Sequence, residues 1–267
     1  MAGGQRRVDS AEGPTWQLAP ATGAVTPAEV HVWRASLQQP TPVRLQLWET
    51  LTTDERSRAL RYRQEPLQHA WIVGRGVVRS LLSRYLECLP AAIQFAYTDR
   101  GKPILAQPPH PALAFNVTHS HQMLLCAIAW HCEIGIDVEH QRAIAQLTDI
   151  VERYFSPAEQ ATILAAPSQH RSAEFFRLWT LKEAICKATG QGIQGLAETT
   201  LTCHTQPMQV QTVYGQPPSQ TWSLHSFSPE PNYVGAIAYT APPRSLRYWQ
   251  WHPTEATPSG SASGPVP

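Results

Sequence analysis

The chain has 267 residues, 42% of them hydrophobic, enough to bury the core of one large domain or two small ones. Its 21 basic and 20 acidic residues leave a formal net charge of +1, which argues against a dedicated nucleic-acid-binding protein because such proteins neutralise many phosphates. No stretch approaches the roughly 20 apolar residues of a membrane helix, and residues 1–16 lack the apolar run of a secretory signal. We therefore expect a cytoplasmic protein with neither nucleic acid nor membrane as partner.

Cysteine and lysine usage narrows the chemistry further. The five cysteines are scattered and form no CxxC pair, so neither a disulfide framework nor a thiolate zinc site is indicated. Three of the 21 basic residues are lysines, Lys102, Lys182 and Lys187. Because lysine and arginine are not interchangeable, these positions are candidates for sites that need a compact ammonium. The alternative is that lysine remains at these three positions by chance.

The predicted elements begin after a low-complexity tail. Residues 1–27 and 253–267 read as disordered. Thr53 opens an arginine-rich helix, and apolar residues from Leu67 to Tyr85 recur at helical spacing. A turn at 99–101 then separates predicted strands over 93–97, 113–117, 123–130 and 133–139.

The second part of the chain repeats this order of helices and then strands. We predict a helix over 147–155, a capping box from Ser156 to Glu159, and a long helix from Arg171 to Thr189 that Gly190 closes. Strands follow at 199–203, 209–214, 221–227, 233–239 and 246–251. The similarity of LLCAIAW (124–130) to YVGAIAY (233–239) suggests two similar α+β halves.

The segment GIDVE carries two carboxylates on one face of a predicted strand. Period-two alternation places Asp137 and Glu139 beside Gly135, opposite the apolar residues. Alternate side chains lie roughly 7 Å apart, a distance that one cation bridges. Mg²⁺ typically binds one or two carboxylates and completes its shell with water and phosphates. An acidic strand end that faces solvent is the alternative.

The segment WTLKEAICK places Trp179, Glu183 and Lys187 on one helical face at spacings of four. A solvent-exposed Glu–Lys pair is the ordinary interpretation of such spacing. Two observations argue against this interpretation. Lysine is scarce in the chain, and Trp179 is a large side chain that is costly to leave in water.

Hydroxyl, imidazole and cationic side chains supply candidate phosphate ligands. Thr118 and His119 follow an apolar strand and offer donors to phosphate oxygens. His119 and His121 could instead bind zinc, although no third ligand stands at suitable spacing. Arg58 lies in a cluster of arginines, and Lys102 lies in a turn from which it could reach an anion.

Four motifs, taken together and in this order, resemble the signature of the Sfp-like 4'-phosphopantetheinyl transferases: GKP (101–103), NVTHS (116–120), GIDVE (135–139) and WxxKEAxxK (179–187). The resemblance covers residues 30 to 250. It implies an α+β fold of two similar halves related by a pseudo-twofold axis, which we divide into residues 28–133 and 134–252, with the active site in the cleft between them.

The resemblance also implies the chemistry. A serine of an acyl or peptidyl carrier protein would attack the phosphate of coenzyme A that carries the pantetheine arm, releasing adenosine 3',5'-bisphosphate. Implied site residues are Asp137, Glu139 and Glu183 for Mg²⁺, which Mn²⁺ could replace; Arg58, Lys102, Pro103, Thr118, His119 and Lys187 for coenzyme A; and Glu183, Lys187 and His119 for catalysis. The enzyme would be a monomer.

The chain departs from the family pattern near the expected 3'-phosphate site. Ala70 stands where relatives often carry a basic residue, and Glu55 replaces a lysine used by some members. The 3'-phosphate would then depend on Arg56, Arg58 or His69.

Two other functions remain open at this point. A metal-dependent nuclease also combines acidic pairs with a glutamate and a lysine, but it calls for a broad basic surface. A non-catalytic module that binds coenzyme A or a carrier protein would keep the cleft and tolerate loss of the metal ligands.

Overall fold

Twelve strands and six α-helices make up the part of the chain that this computed structural model describes, namely residues 13–18, 25–107, 109–110, 112–203, 208–240 and 242–253. The helices are α1 (Thr41–Glu49), α2 (Thr53–Ala59), α3 (Glu65–Leu86), α4 (Leu147–Tyr154), α5 (Pro157–Ala165) and α6 (Ser168–Thr189). The strands are β1 (Gln17–Leu18), β2 (Glu29–Ser36), β3 (Gln94–Tyr97), β4 (Pro103–Gln107), β5 (Leu113–Ser120), β6 (Met123–Trp130), β7 (Ile134–His140), β8 (Thr200–Thr202), β9 (Gln209–Thr212), β10 (Ser223–Phe227), β11 (Tyr233–Tyr239) and β12 (Ser245–Gln250).

The first sheet has five strands in the order β1-β12-β2-β6-β5. Strands β2, β6 and β5 pair antiparallel, whereas β12 pairs parallel to β2. Helix α3 covers one face of this sheet, and its Val73 and Val77 share a hydrophobic core with Trp33 and Cys126. From Val73 to Tyr85 the apolar spacing is therefore the contact stripe of α3, whereas Leu67 is 52% exposed.

The second sheet has three antiparallel strands in the order β10-β11-β7. Helix α6 covers one of its faces, where Leu181 and Ile185 pack with Ala236 and Ala238. A long helix packed on one face of a sheet thus occurs in both parts of the chain.

The free faces of the two sheets pack against each other. Val32 and Leu125 from the first sheet meet Ile136 and Ile237 from the second in one buried cluster. The layers run α3, first sheet, second sheet, α6, which confirms the predicted α+β architecture of two similar halves. Strand β12 comes from the second segment but belongs to the first sheet. The sheets therefore do not divide at residue 133, and the division into 28–133 and 134–252 stays a prediction.

Part of the N-terminal tail predicted to be disordered is structured. Gln17–Leu18 pairs with β12, and the Trp16 ring packs edge-on against Tyr248 with centroids 5.3 Å apart. The Trp16 indole also donates to the carbonyl of Pro229 over 3.1 Å. Burial of this aromatic ring opposes the disorder that composition suggests. Residues 1–12, 19–24 and 254–267 of the two predicted tails lie outside the described residues.

Most of the other predicted elements are confirmed, including the capping box at Ser156 and Glu159. Helix α6 begins at Ser168, three residues before the predicted start. All five cysteines are free, and Cys126 and Cys186 are buried. Among the helices that the structure describes, none combines the length and apolar character needed to cross a bilayer.

A buried ion pair ties α6 to α5. Lys182 and Glu159 are each 0% exposed, and the Lys182 ammonium lies 2.9 Å from a Glu159 oxygen and 2.6 Å from the Tyr154 carbonyl. The other Glu159 oxygen accepts the N–H of Leu201. The scarce Lys182 therefore serves packing within the second half.

We expect Lys182→Met to lower the free energy of unfolding by about 3–5 kcal/mol, because Glu159 would remain buried without its counter-charge. The double variant Lys182→Met/Glu159→Leu should recover most of this loss. Urea unfolding followed by circular dichroism measures both. Glu174→Gln, which breaks a more exposed pair with Arg177 on the same helix, serves as control and should cost less than about 1 kcal/mol. An equal cost for both single variants would contradict the expectation.

A neutral histidine lies in the core of the first half. The Trp33 indole donates to the Tyr85 hydroxyl over 2.7 Å, and that hydroxyl is hydrogen-bonded to His31 Nδ1 over 2.7 Å. Burial lowers the pKa of His31 to about 4, partly opposed by Glu29. The imidazole therefore stays neutral in the folded chain at pH 7.

This histidine predicts a loss of stability in acid. The unfolded chain takes up a proton at His31 near pH 6.5, whereas the folded chain does so only near pH 4, so the free energy of unfolding should fall between these values by about 3 kcal/mol at most. Urea unfolding from pH 7.5 to 4.5 should show a shallower pH slope for His31→Gln than for wild type or for the exposed-site control His252→Gln. Identical slopes would contradict the assignment.

Candidate active site

Strand β7 and helix α6 are in direct backbone contact at Gly135. A methyl group at this position would overlap the Ala184 carbonyl and the Ala188 amide of α6. Ile136 faces the opposite side, in the core between the sheets. The predicted alternation is therefore confirmed, and the absence of a side chain at Gly135 lets α6 approach the face that carries Asp137.

A cation, a carboxylate and a hydroxyl meet beside this contact. The Lys187 ammonium donates to Asp137 Oδ1 over 2.6 Å and to Thr118 Oγ1 over 2.9 Å. The Thr118 hydroxyl donates to the same Asp137 oxygen over 3.1 Å. Lys187 thus joins α6 to β7 and β5 and uses two of its three N–H donors, and among the described residues the third has no acceptor.

Asp137 is almost completely buried, with 4% of its surface exposed. Burial raises the pKa of its carboxyl, although the Lys187 ammonium opposes the shift. Its second oxygen, Oδ2, is buried and has no hydrogen-bond partner among the described residues. A buried carboxylate oxygen without a partner is costly and is suited to bind a cation.

Glu183 lies one turn before Lys187 on α6. Burial raises its pKa to about 7, and the negative charges of Asp137 and Glu139 add to the rise while Lys187 opposes it. The three carboxylates are thus close enough to repel one another, which a bound cation would relieve. A carboxyl with a pKa near 7 is also suited to accept a proton.

Glu139 lies near the C-terminal end of β7. One of its oxygens accepts from the Ser120 hydroxyl over 3.1 Å and from Arg142 over 3.3 Å. In the described part of the chain, no three His, Cys, Asp or Glu side chains form a ready metal-binding group. The predicted ligands Asp137, Glu139 and Glu183 are therefore electrostatic neighbours rather than an assembled coordination sphere.

Two of the six residues predicted to contact coenzyme A line a cavity next to this cluster. The cavity measures about 520 Å³, and His119, Pro103 and the small Ala70 contribute to its wall. Desolvation by the surrounding protein and the nearby Lys187 lower the pKa of His119. His119 and Pro103, 16 residues apart in sequence, are brought to one cavity.

Arg58 lines an adjacent cavity of about 500 Å³ together with Arg61, Trp71 and Tyr97. Its guanidinium carbon lies 5.8 Å from the centroid of the Trp71 ring. Within the described residues Arg58 has no acidic partner.

The other residues considered for the 3'-phosphate do have acidic partners. Arg56 pairs with Glu49 over 3.1 Å and His69 lies 3.4 Å from Glu65. Of the three candidates, Arg58 is therefore the one most available to an anion. Glu55 closes a capping box at the start of α2 and pairs with Arg79 over 2.8 Å, so its role here is structural.

Lys102 contacts the protein rather than open solvent. Its ammonium donates to the Ala188 carbonyl over 2.6 Å, and burial lowers its pKa. Arg100 on the same turn donates to the Gln191 carbonyl over 2.6 Å. Both cations of the turn between β3 and β4 thus bind carbonyls at the C-terminal end of α6, where the helix dipole favours positive charge.

The sequence matches two family models that together span this site. The model described as the 4'-phosphopantetheinyl transferase superfamily matches residues 133–238, and the one described as 4'-phosphopantetheinyl transferase, N-terminal, matches residues 33–132. The chain is 36% identical to the 4'-phosphopantetheinyl transferase HetI of Nostoc sp. (strain PCC 7120) over 239 residues, which cover 89% of this chain and 98% of HetI. This chain belongs to the 4'-phosphopantetheinyl transferase superfamily.

More distant transferases match over shorter segments. The 4'-phosphopantetheinyl transferase Sfp of Bacillus subtilis (strain 168) is 30% identical over 143 residues, covering 54% of this chain and 62% of Sfp. The transferase AcpT of Escherichia coli O157:H7 is 32% identical over 142 residues, covering 53% of this chain and 68% of AcpT.

Sequence reasoning did not single out Arg75, which the structure places at the candidate site. Arg75 lines the cavity that holds His119, donates to the Tyr97 hydroxyl over 2.7 Å and lies 3.4 Å from Glu55. The available signal was its spacing of one helical turn from Trp71, whose ring it faces at 5.8 Å.

Proposed function

We propose that this transferase moves the 4'-phosphopantetheine group of coenzyme A onto a serine of an acyl or peptidyl carrier protein and releases adenosine 3',5'-bisphosphate. The observation that carries the proposal is the cluster of Lys187, Asp137 and Thr118 beside Glu183, in a chain that belongs to this superfamily. The cluster combines a cation for phosphate oxygens with a carboxyl of raised pKa.

In the proposed reaction, the serine oxygen of the carrier attacks the phosphorus that bears the pantetheine arm. A new P–O bond forms while the bond to the 3',5'-bisphosphate breaks. Glu183 takes the serine proton, directly or through a water. Lys187 stabilises the leaving phosphate through its remaining N–H, and Thr118 and His119 orient phosphate oxygens.

We also propose Mg²⁺, or Mn²⁺ in its place, as the cofactor held by Asp137, Glu139 and Glu183. The support is the partnerless Asp137 oxygen and the mutual repulsion of the three carboxylates. When bound, such an ion neutralises charge on the transferring phosphoryl group. Because Mg²⁺ keeps several water and phosphate ligands, it does not require a closed protein sphere.

For the nucleotide of coenzyme A we propose the two adjoining cavities. Pro103 and His119 would contact it in one, and Arg58 would contact the 3'-phosphate in the other. Lys102 would lie close by, at the turn that contacts α6.

We propose that the enzyme acts as a cytoplasmic monomer. All the side chains assigned to the reaction come from one chain, and its proposed substrate is an intracellular cofactor.

The test is to incubate the chain with an apo carrier protein, coenzyme A and Mg²⁺ and to detect the pantetheine adduct by mass spectrometry. We expect a mass increase on the acceptor serine, its loss with EDTA and its recovery with added Mg²⁺. Coenzyme A binding without transfer would favour a non-catalytic module, and activity that survives complete chelation would refute the metal assignment.

A further inference from the structure

The two sheets, which pack face to face, also approach each other at one pair of edge strands beside the candidate active site. Strand β5 is the last strand of the first sheet and β7 is the last strand of the second. In the described residues no backbone ladder joins them, although side chains of β5 hydrogen-bond to β7. Such an edge leaves backbone N–H groups that need partners.

Side chains at every second position of β5 supply those partners. The Asn116 side-chain oxygen accepts the N–H of Ile136 over 3.0 Å, in a buried contact. Two residues on, Thr118 reaches Asp137. Alternate residues of β5 therefore contact positions progressively further along β7, which fixes the register of the two strands. A one-residue shift of β7 would place its carboxylates on the opposite face of the strand.

Ser120 is the last residue of this series and forms two hydrogen bonds to β7. Its hydroxyl oxygen accepts the N–H of His140 over 3.0 Å. The same hydroxyl donates to a Glu139 oxygen over 3.1 Å. The first bond anchors the hydroxyl to the backbone of β7, and the second orients the carboxylate. Ser120 therefore links Glu139 to the strand backbone, whereas the other donor to that oxygen, Arg142 at 3.3 Å, has a side chain that is 62% exposed.

We propose that Ser120 is a positioning residue that holds Glu139 in its active orientation, while Asn116 sets the register of β7 against β5. The catalytic consequence rests on the proposed function, whereas the contacts themselves do not. Ser120 acts through Glu139 and touches neither substrate nor reacting atoms.

Two substitutions at one position test the proposal. Ser120→Thr keeps the hydroxyl on a residue suited to strands, and Ser120→Ala removes it. Loss of a hydrogen-bond partner behind a metal ligand typically costs about 10- to 100-fold in metal affinity or activity. We expect Ser120→Ala to lower kcat by about tenfold or more and to weaken Mg²⁺ binding in calorimetry, with KM for coenzyme A changed less than about twofold. Ser120→Thr should restore both quantities.

The control is Ser226→Ala, which removes the hydroxyl of an exposed serine on β10, in the same sheet as β7. It should leave kcat and Mg²⁺ affinity unchanged. If all three variants lose activity in proportion to thermal stability, or if Ser120→Ala binds Mg²⁺ as wild type does, the positioning role is overturned.

Amide hydrogen exchange separates this inference from the proposed function. Ser120→Ala should accelerate exchange at the His140 N–H by about tenfold, because that amide loses its acceptor, and Ser120→Thr should not. This readout needs no carrier protein. A wild-type chain without transferase activity would refute the proposed function alone, whereas an unchanged His140 exchange rate in Ser120→Ala would refute the bridge between the strands.

Discussion

Asp137→Asn is expected to lower the rate of phosphopantetheine transfer by about 10³-fold. The amide preserves the shape of the side chain but removes the charge that faces Lys187 and that would bind Mg²⁺. Because burial already opposes ionisation of Asp137, removing the charge should leave the free energy of unfolding within about 1 kcal/mol of wild type. Single-turnover mass spectrometry measures the transfer, and urea unfolding measures stability.

Asp149→Asn is the matched control, since Asp149 is an exposed acid on α4. It should transfer the group as fast as wild type does. Undiminished transfer by Asp137→Asn, in a folded protein with confirmed coenzyme A binding, would remove Asp137 from the site.

Glu183→Gln is expected to lower kcat by about 10²- to 10⁴-fold, because glutamine can neither accept the serine proton nor supply the charge proposed to bind Mg²⁺. KM for coenzyme A should change little, since Lys187, Thr118 and the two cavities remain in place. Steady-state kinetics with coenzyme A varied at saturating carrier protein separates the two quantities.

For this variant the control is Glu174→Gln, which lies on the same helix in a pair with Arg177. It should retain wild-type kcat. If Glu183→Gln raised KM while kcat stayed constant, Glu183 would bind substrate rather than accept its proton.

Local periodicity predicted the parts of the site that lie within single elements. The alternation of GIDVE placed Gly135 and Asp137 on the face that meets α6. Helical spacing placed Glu183 and Lys187 one turn apart. The sequence could not show that Lys187 pairs with Asp137, 50 residues away, rather than with Glu183.

Contacts between distant segments account for the rest. Lys102 was predicted to reach an anion from an open turn, but it binds the Ala188 carbonyl, 86 residues away. Lys182 belonged to the motif that suggested catalysis, yet its ammonium is enclosed with Glu159. Local periodicity does not predict such pairings, because they form only when α6 packs against other elements of the fold.

The turn between β3 and β4 has a thermodynamic consequence. Arg100 and Lys102 add positive charge at the C-terminal end of α6 from the opposite half of the molecule. Strand β12, near the end of the described chain, completes the first sheet. Separating the halves would break the hydrogen bonds at the end of α6 and the pairing of β12 in the first sheet at the same time. We therefore expect the two halves to unfold as one cooperative unit rather than one after the other.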